Sequence, residues 1–93
     1  MIPSTGTVLV DLWAPWCGPC KVMTPIVESL QQEMGGFKLI KVNVDEPESR
    51  DILEKYNIRA VPTFLIFKDG VCLQQFSGTR TKTDLKVLME QVI

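Results

Sequence analysis

The sequence predicts an α/β fold: a mixed sheet of four strands with helices on its faces, in the order βαβα followed by ββα. Two observations lead there. In the first half, strand-like apolar runs alternate with segments that are apolar at helical spacing. Such an order needs a parallel strand pair joined by a right-handed crossover. In the second half, two strand-like runs are separated only by Lys68-Asp69-Gly70, the signature of an antiparallel hairpin.

Thr7-Val8-Leu9-Val10-Asp11-Leu12-Trp13 reads as the first strand. It is apolar on both faces except at Asp11, as expected of a central strand covered on both sides. Cys20 to Met34 reads as a helix, because Met23, Ile26, Val27, Leu30 and Met34 recur at spacings of three and four. Gly35-Gly36 stops it. Pro25 falls inside this pattern and is expected to kink it, since it lacks an N–H and its ring crowds the preceding turn. Phe37 to Val44 reads as the second strand. Asp45-Glu46-Pro47 breaks it and opens a short helix, roughly Glu48 to Tyr56, with Ile52, Leu53 and Tyr56 facing inward. Thr63 to Phe67 and Val71 to Phe76 are the third and fourth strands, and Ser77-Gly78 ends the last. Thr81, with Asp84 three residues on, caps a final helix whose inner face is Leu85, Leu88, Met89 and Val92.

A chain of 93 residues fits one domain spanning 1–93. Its formal net charge of −1, with no basic stripe or acidic tail, gives no call for nucleic acid or a membrane surface as a partner. No apolar run approaches the length of a membrane span. Met1 to Thr7 lacks the basic start and apolar core of a signal peptide, so a cytoplasmic location is expected. The chain has three cysteines and no histidine. That excludes a Cys–His nucleophile pair, a histidine metal ligand and a four-thiolate metal site built from one chain. An odd cysteine count also argues against a disulfide scaffold.

Cys17 and Cys20 are the feature with chemistry in it. Two cysteines three apart at the entry to a helix lie on one face of its first turn, at a separation that suits a disulfide. The first sits among unpaired N–H groups at the positive end of the helix dipole, which favours the nucleophilic thiolate. Gly18 and Pro19 make a tight, stiff link between them. The pattern reads as thiol–disulfide exchange: Cys17 attacks a target disulfide, and Cys20 then resolves the mixed disulfide. Two inert thiols at a helix start, or a metal bridged between two chains, are the readings set against it. Asp11 shares a strand face with Leu9 and Trp13, where burial raises a carboxylate's pKa and suits it to act as a general base near neutral pH. Lys41 shares a face with Phe37, Leu39 and Asn43. It is expected either to pair with Asp11 or set its protonation, or to snorkel to solvent.

The stretch from Val8 to Lys21, with Trp16-Cys17-Gly18-Pro19-Cys20 at its end, resembles the thioredoxin family. So do Tyr56-Asn57-Ile58-Arg59-Ala60-Val61-Pro62-Thr63, then Phe67-Lys68-Asp69-Gly70 and Ser77-Gly78, in family order to the end of the chain. The resemblance implies a thioredoxin-like three-layer fold and reduction of protein disulfides. It implies no bound cofactor, with electrons arriving from NADPH through thioredoxin reductase. Protein disulfide substrates and that reductase are then the expected partners of a monomer. By motif match, Cys17 is the attacking thiol and Cys20 the resolving one, while Gly18 and Pro19 tune the redox potential. Asp11 takes the proton from Cys20. The match also implies a cis Val61-Pro62 bond beside the cysteines, which would free the Val61 backbone to pair with an extended substrate segment. Trp16 is expected to offer a flat apolar surface, with Ala60 and Gly78 leaving room for a partner's backbone. Trp13 is expected in the core, and Cys72 as a small buried hydrophobe.

The chain departs from the family pattern at its front. Thioredoxins usually carry one more strand and helix before the segment resembling Val8 to Trp13, and Met1 to Thr7 are too few for both. The strand Phe37 to Val44 is therefore expected to be an open edge. Two rival functions are a thioredoxin-fold binding or scaffold protein with incidental redox activity, and a glutaredoxin-like enzyme using glutathione. Asp11 and the Trp16 to Cys20 stretch weigh against the latter.

Overall fold

The computed structural model describes residues 2–93. Its elements are β1 (Thr7–Trp13), α1 (Gly18–Met34), β2 (Lys38–Asn43), a 3-10 turn (Pro47–Ser49) leading into α2 (Arg50–Lys55), β3 (Thr63–Lys68), β4 (Val71–Ser77) and α3 (Lys82–Glu90). The four strands form one sheet in the order β2-β1-β3-β4. β1 runs parallel to β2 and antiparallel to β3, and β3 pairs antiparallel with β4. This is the mixed sheet that the order of elements predicts.

The period-2 pattern of β1 feeds two separate cores. Leu9 faces α1 and α3, where it is buried with Met23, Val27, Leu30, Leu85 and Met89. Val8, Val10 and Leu12 face the other way, toward Ile52 of α2, with Phe67 and Val42. The chain thus builds α1 and α3, the sheet, and α2 as three layers. Tyr56 closes the α2 face by meeting Phe67 edge-on, with ring centroids 5.6 Å apart.

Two boundaries differ from expectation for local reasons. α1 starts at Gly18 rather than Cys20, because the Cys17 side chain is itself the N-cap and Pro19 needs no N–H donor in a first turn. Gly18 and Pro19 are therefore part of the helix and not a link before it. α1 then continues unbroken through Pro25 to Met34. The short helix is split, its first turn being 3-10 from Pro47 to Ser49.

The β3–β4 hairpin turns through Asp69 (φ 51°) and Gly70 (φ 85°), the doubly left-handed geometry of a two-residue turn that matches strand twist. Thr81 caps α3 as expected, accepting the Asp84 N–H at 3.1 Å. Among the described residues β2 has a neighbour on one side only, the open edge expected of it.

Candidate active site

The parallel pairing of β1 with β2 decides where the chemistry sits. Trp13 and Asn43 end their strands in register, so the residues that follow both emerge at the same edge of the sheet. The segment after β1 carries Ala14 to Cys17 into α1. The Cys17 N–H donates to the Ala14 carbonyl at 3.1 Å and closes this turn.

Cys17 and Cys20 are joined as a disulfide with a Cα–Cα distance of 5.3 Å. The Cys20 amide donates to the Cys17 sulfur at 3.1 Å. The same amide would hold negative charge on that sulfur once the bond is reduced, because it is one of the unpaired donors at the positive end of the helix. Both cysteines are buried and form a small cluster with Ala14, against which Trp13, Val44 and Val61 pack. Trp13 therefore belongs to the wall around the cysteines and not to either main core. It is the last residue of β1 and the only one of that strand that is half-buried rather than buried.

Val61-Pro62 is a cis bond, as the resemblance implied, and Val61 lies against the cysteine cluster. The Thr63 hydroxyl donates to the Ala60 carbonyl at 2.5 Å, and the Gly78 N–H donates to the Pro62 carbonyl at 2.9 Å. The first bond fixes the loop before β3 onto the start of that strand, and the second ties this loop to the one after β4. Gly78 has φ 88°, a left-handed conformation that side chains rarely adopt. Beside this loop lies a shallow groove of about 190 Å³, lined by Trp16, Val44, Ile58, Arg59, Ala60 and Val61. Trp16 is 69% exposed, and its indole N–H is held by the Asp45 carboxylate at 3.1 Å.

Asp11 lies on the α1 face of the sheet at 1% exposure, and among the described residues neither carboxylate oxygen has a hydrogen-bond partner. Burial raises its pKa from 3.8 to about 6; the charge of Lys41 pulls it down and that of Glu28 pushes it up. Lys41 is in register with Asp11 on β2 but does not bond to it. Its ammonium pairs with Glu28 of α1 at the surface. The direct Lys41–Asp11 pair is thus replaced by an outward pair, since a lysine stem is long enough to keep its charge in water. Cys72 is half-buried on the α2 face of β4, away from the site. Burial pushes its thiol pKa up, which disfavours the nucleophilic thiolate.

Gly18 lies at the open end of α1, and a Cβ there would meet nothing within 4 Å. Among the described residues no group of three or more His, Cys, Asp or Glu side chains is placed to hold a metal ion.

Sequence reasoning missed three contributors: Asp45, Thr63 and Glu28. The signal for Asp45 was present, because a parallel pair brings the residues after β2 beside those after β1. Thr63 begins a strand, where a hydroxyl can reach back to a carbonyl three residues earlier. Glu28 follows the buried Val27 and so borders the inner stripe of α1, a position that spacing alone does not distinguish from any solvated charge.

Known proteins place this geometry. The sequence matches the thioredoxin family over residues 1–91. It is 43% identical over 89 residues to the thioredoxin of Bacillus subtilis, covering 95% of this chain and 84% of that protein. To thioredoxin 1 of a Nostoc species it is 41% identical over 92 residues, covering 98% of this chain and 84% of that one. A solved thioredoxin from Halobacterium salinarum superposes with a TM-score of 0.85 at 35% identity, covering 95% of this chain and 75% of that one. A cysteine pair at disulfide distance on the first turn of α1, carried by this sheet and these relatives, makes the chain a thiol–disulfide oxidoreductase with disulfide reductase activity. It belongs to the thioredoxin family.

Proposed function

We propose that the chain is a general reductase of protein disulfides, a monomer of one domain in the cytoplasm, recharged from NADPH by a thioredoxin reductase. The observation that carries this reading is the Cys17–Cys20 pair, lying against Val61 beyond the end of β1. The Cys17 thiolate attacks one sulfur of the target disulfide. A Cys17–target bond forms, and the other target sulfur leaves as a thiolate. Cys20 then gives its proton to Asp11, attacks the Cys17 sulfur and expels the second target thiolate. Two electrons have passed from the dithiol to the target, leaving Cys17–Cys20 oxidised.

The remaining residues serve this exchange. A base of pKa about 6 is ionised at neutral pH yet basic enough to accept a proton, which suits Asp11 to its part. Gly18 and Pro19 set the potential by shaping the first turn of α1, and Lys41 tunes Asp11 through its charge. An extended target segment lies along Val61 and Pro62, with Ala60 and Gly78 admitting its backbone and Trp16 covering its side chains.

The test is turnover of a disulfide-bonded protein with NADPH and thioredoxin reductase. Cys17→Ser should abolish turnover, and Cys20→Ser should trap a mixed disulfide with the target. Asp11→Asn should slow resolution of that mixed disulfide by about a hundredfold. Turnover retained by Cys17→Ser, or a mixed disulfide trapped through Cys20, would overturn the assignment.

A further inference from the structure

The environment of Asp11 contains an arrangement that the exchange reaction does not by itself explain. Asp11 and Lys41 are register partners on adjacent strands, yet among the described residues the buried carboxylate has no hydrogen-bond partner and the ammonium is bonded to Glu28. The Lys41 and Glu28 side chains are 39% and 44% exposed, so their pair lies at the rim of the layer that covers Asp11. An exposed pair of this kind contributes little to stability. Its consequence is positional: it fixes the one ammonium in register with Asp11.

We propose that Glu28 is a positioning residue for the exchange reaction, holding the Lys41 ammonium at the surface so that the Asp11 carboxylate remains an unpaired base for Cys20. This rests on Asp11 acting as that base. A lysine ammonium is a compact charge on a flexible stem, free to turn toward a buried carboxylate once its outer partner is removed. A carboxylate that gains a direct ion pair becomes a weaker base. The charged and titratable groups on this face are few. β2 supplies Lys41 and α1 supplies Glu28; the Cys20 thiol of the reduced protein joins them only through the proposed proton transfer. β3 and α3 contribute Phe64, Ile66, Leu85 and Met89, none of which titrates. Glu28 therefore acts on Asp11 in two ways with the same sign, by its own negative charge and by restraining Lys41.

The test follows the Asp11 carboxyl carbon by NMR through a pH titration of the reduced full chain. Glu28→Gln should lower the midpoint by about one pH unit, and Glu28→Asp should restore part of that shift. In a Lys41→Met background the same Glu28→Gln change should move the midpoint by less than half as much. An unmoved or raised midpoint overturns the proposal. So does an equal shift with and without Lys41, because Glu28 would then act by its own charge alone. The rate of mixed-disulfide resolution, measured over the same pH range, separates the two levels of the argument. If the NMR midpoint shifts while the rate profile stays fixed, the restraint on Lys41 stands and Asp11 is not the base.

Discussion

Ionising Asp11 inside β1 costs free energy, because burial removes water from the carboxylate and no donor replaces it. The sign of the pH dependence follows. With the pKa raised from 3.8 to about 6, the folded state holds the proton more tightly than the unfolded chain. The stability this gives is complete below about pH 4 and is lost as pH rises through about 6. Asp11→Asn should therefore stabilise the fold at pH 8 by up to about 3 kcal/mol and have little effect at pH 4. Urea unfolding at the two pH values measures this, and an Asn variant no more stable than the native chain at pH 8 would contradict it. The same substitution removes the proposed base, a trade of stability against activity expected at a functional site. Asp45 offers a contrasting residue-scale prediction. Asp45→Ala frees the exposed Trp16 ring and should weaken target binding a few-fold, read as a raised KM with kcat unchanged. Asp11 was legible in the sequence because a single charge interrupted an apolar strand. Asp45 and Glu28 were not, because each sits among other exposed polar residues and takes its meaning from a partner distant in sequence.

At the scale of elements, legibility followed periodicity. α1 and α3 were readable because a buried stripe repeats at 3.6 residues, and β1 because a short apolar run marks a strand covered on both faces. The start of α1 was misread because its cap is a cysteine sulfur, which lies outside the usual Ser, Thr, Asp and Asn signal. The cap on α3 uses that usual signal, so Thr81→Ala should cost about 1 kcal/mol, measured by urea unfolding. β2 makes a different prediction. Its residues are mostly half-buried or exposed, and Lys38 and Lys41 place charge along it, a common way to blunt an open strand. In a parallel pair, alternate residues of β2 direct their N–H groups toward β1 and the others away. Hydrogen exchange should accordingly alternate along Lys38–Asn43 between protected and fast amides, while the amides of β1 are slow throughout. Uniform protection of β2 at the level of β1 would show that something else covers this edge.

For the whole molecule, the question is what binds the helix bearing the cysteines to the rest of the fold. Two kinds of contact join α1 to α3. At the surface, Glu33 bridges Lys82 at 2.8 Å and Lys86 at 3.6 Å. Beneath them, Leu30 of α1 is fully buried with Leu85 and Met89 of α3 and Leu9 of the sheet. Exposed ion pairs gain little over hydration and are screened by salt, whereas a fully buried leucine leaves a cavity when truncated. Leu30→Ala should therefore destabilise the chain by about 2–5 kcal/mol, a large share of the stability of a domain this size. Glu33→Gln should leave the unfolding midpoint close to that of the native chain, and the small difference should vanish at high salt. Urea unfolding of both variants at low and high ionic strength decides between the two. A salt-sensitive loss in Glu33→Gln as large as that in Leu30→Ala would mean that the ion pairs, and not the core, hold α1 in place. The disulfide would then ride on a helix whose seat depends on ionic strength, and the rate of exchange would fall with added salt along with stability.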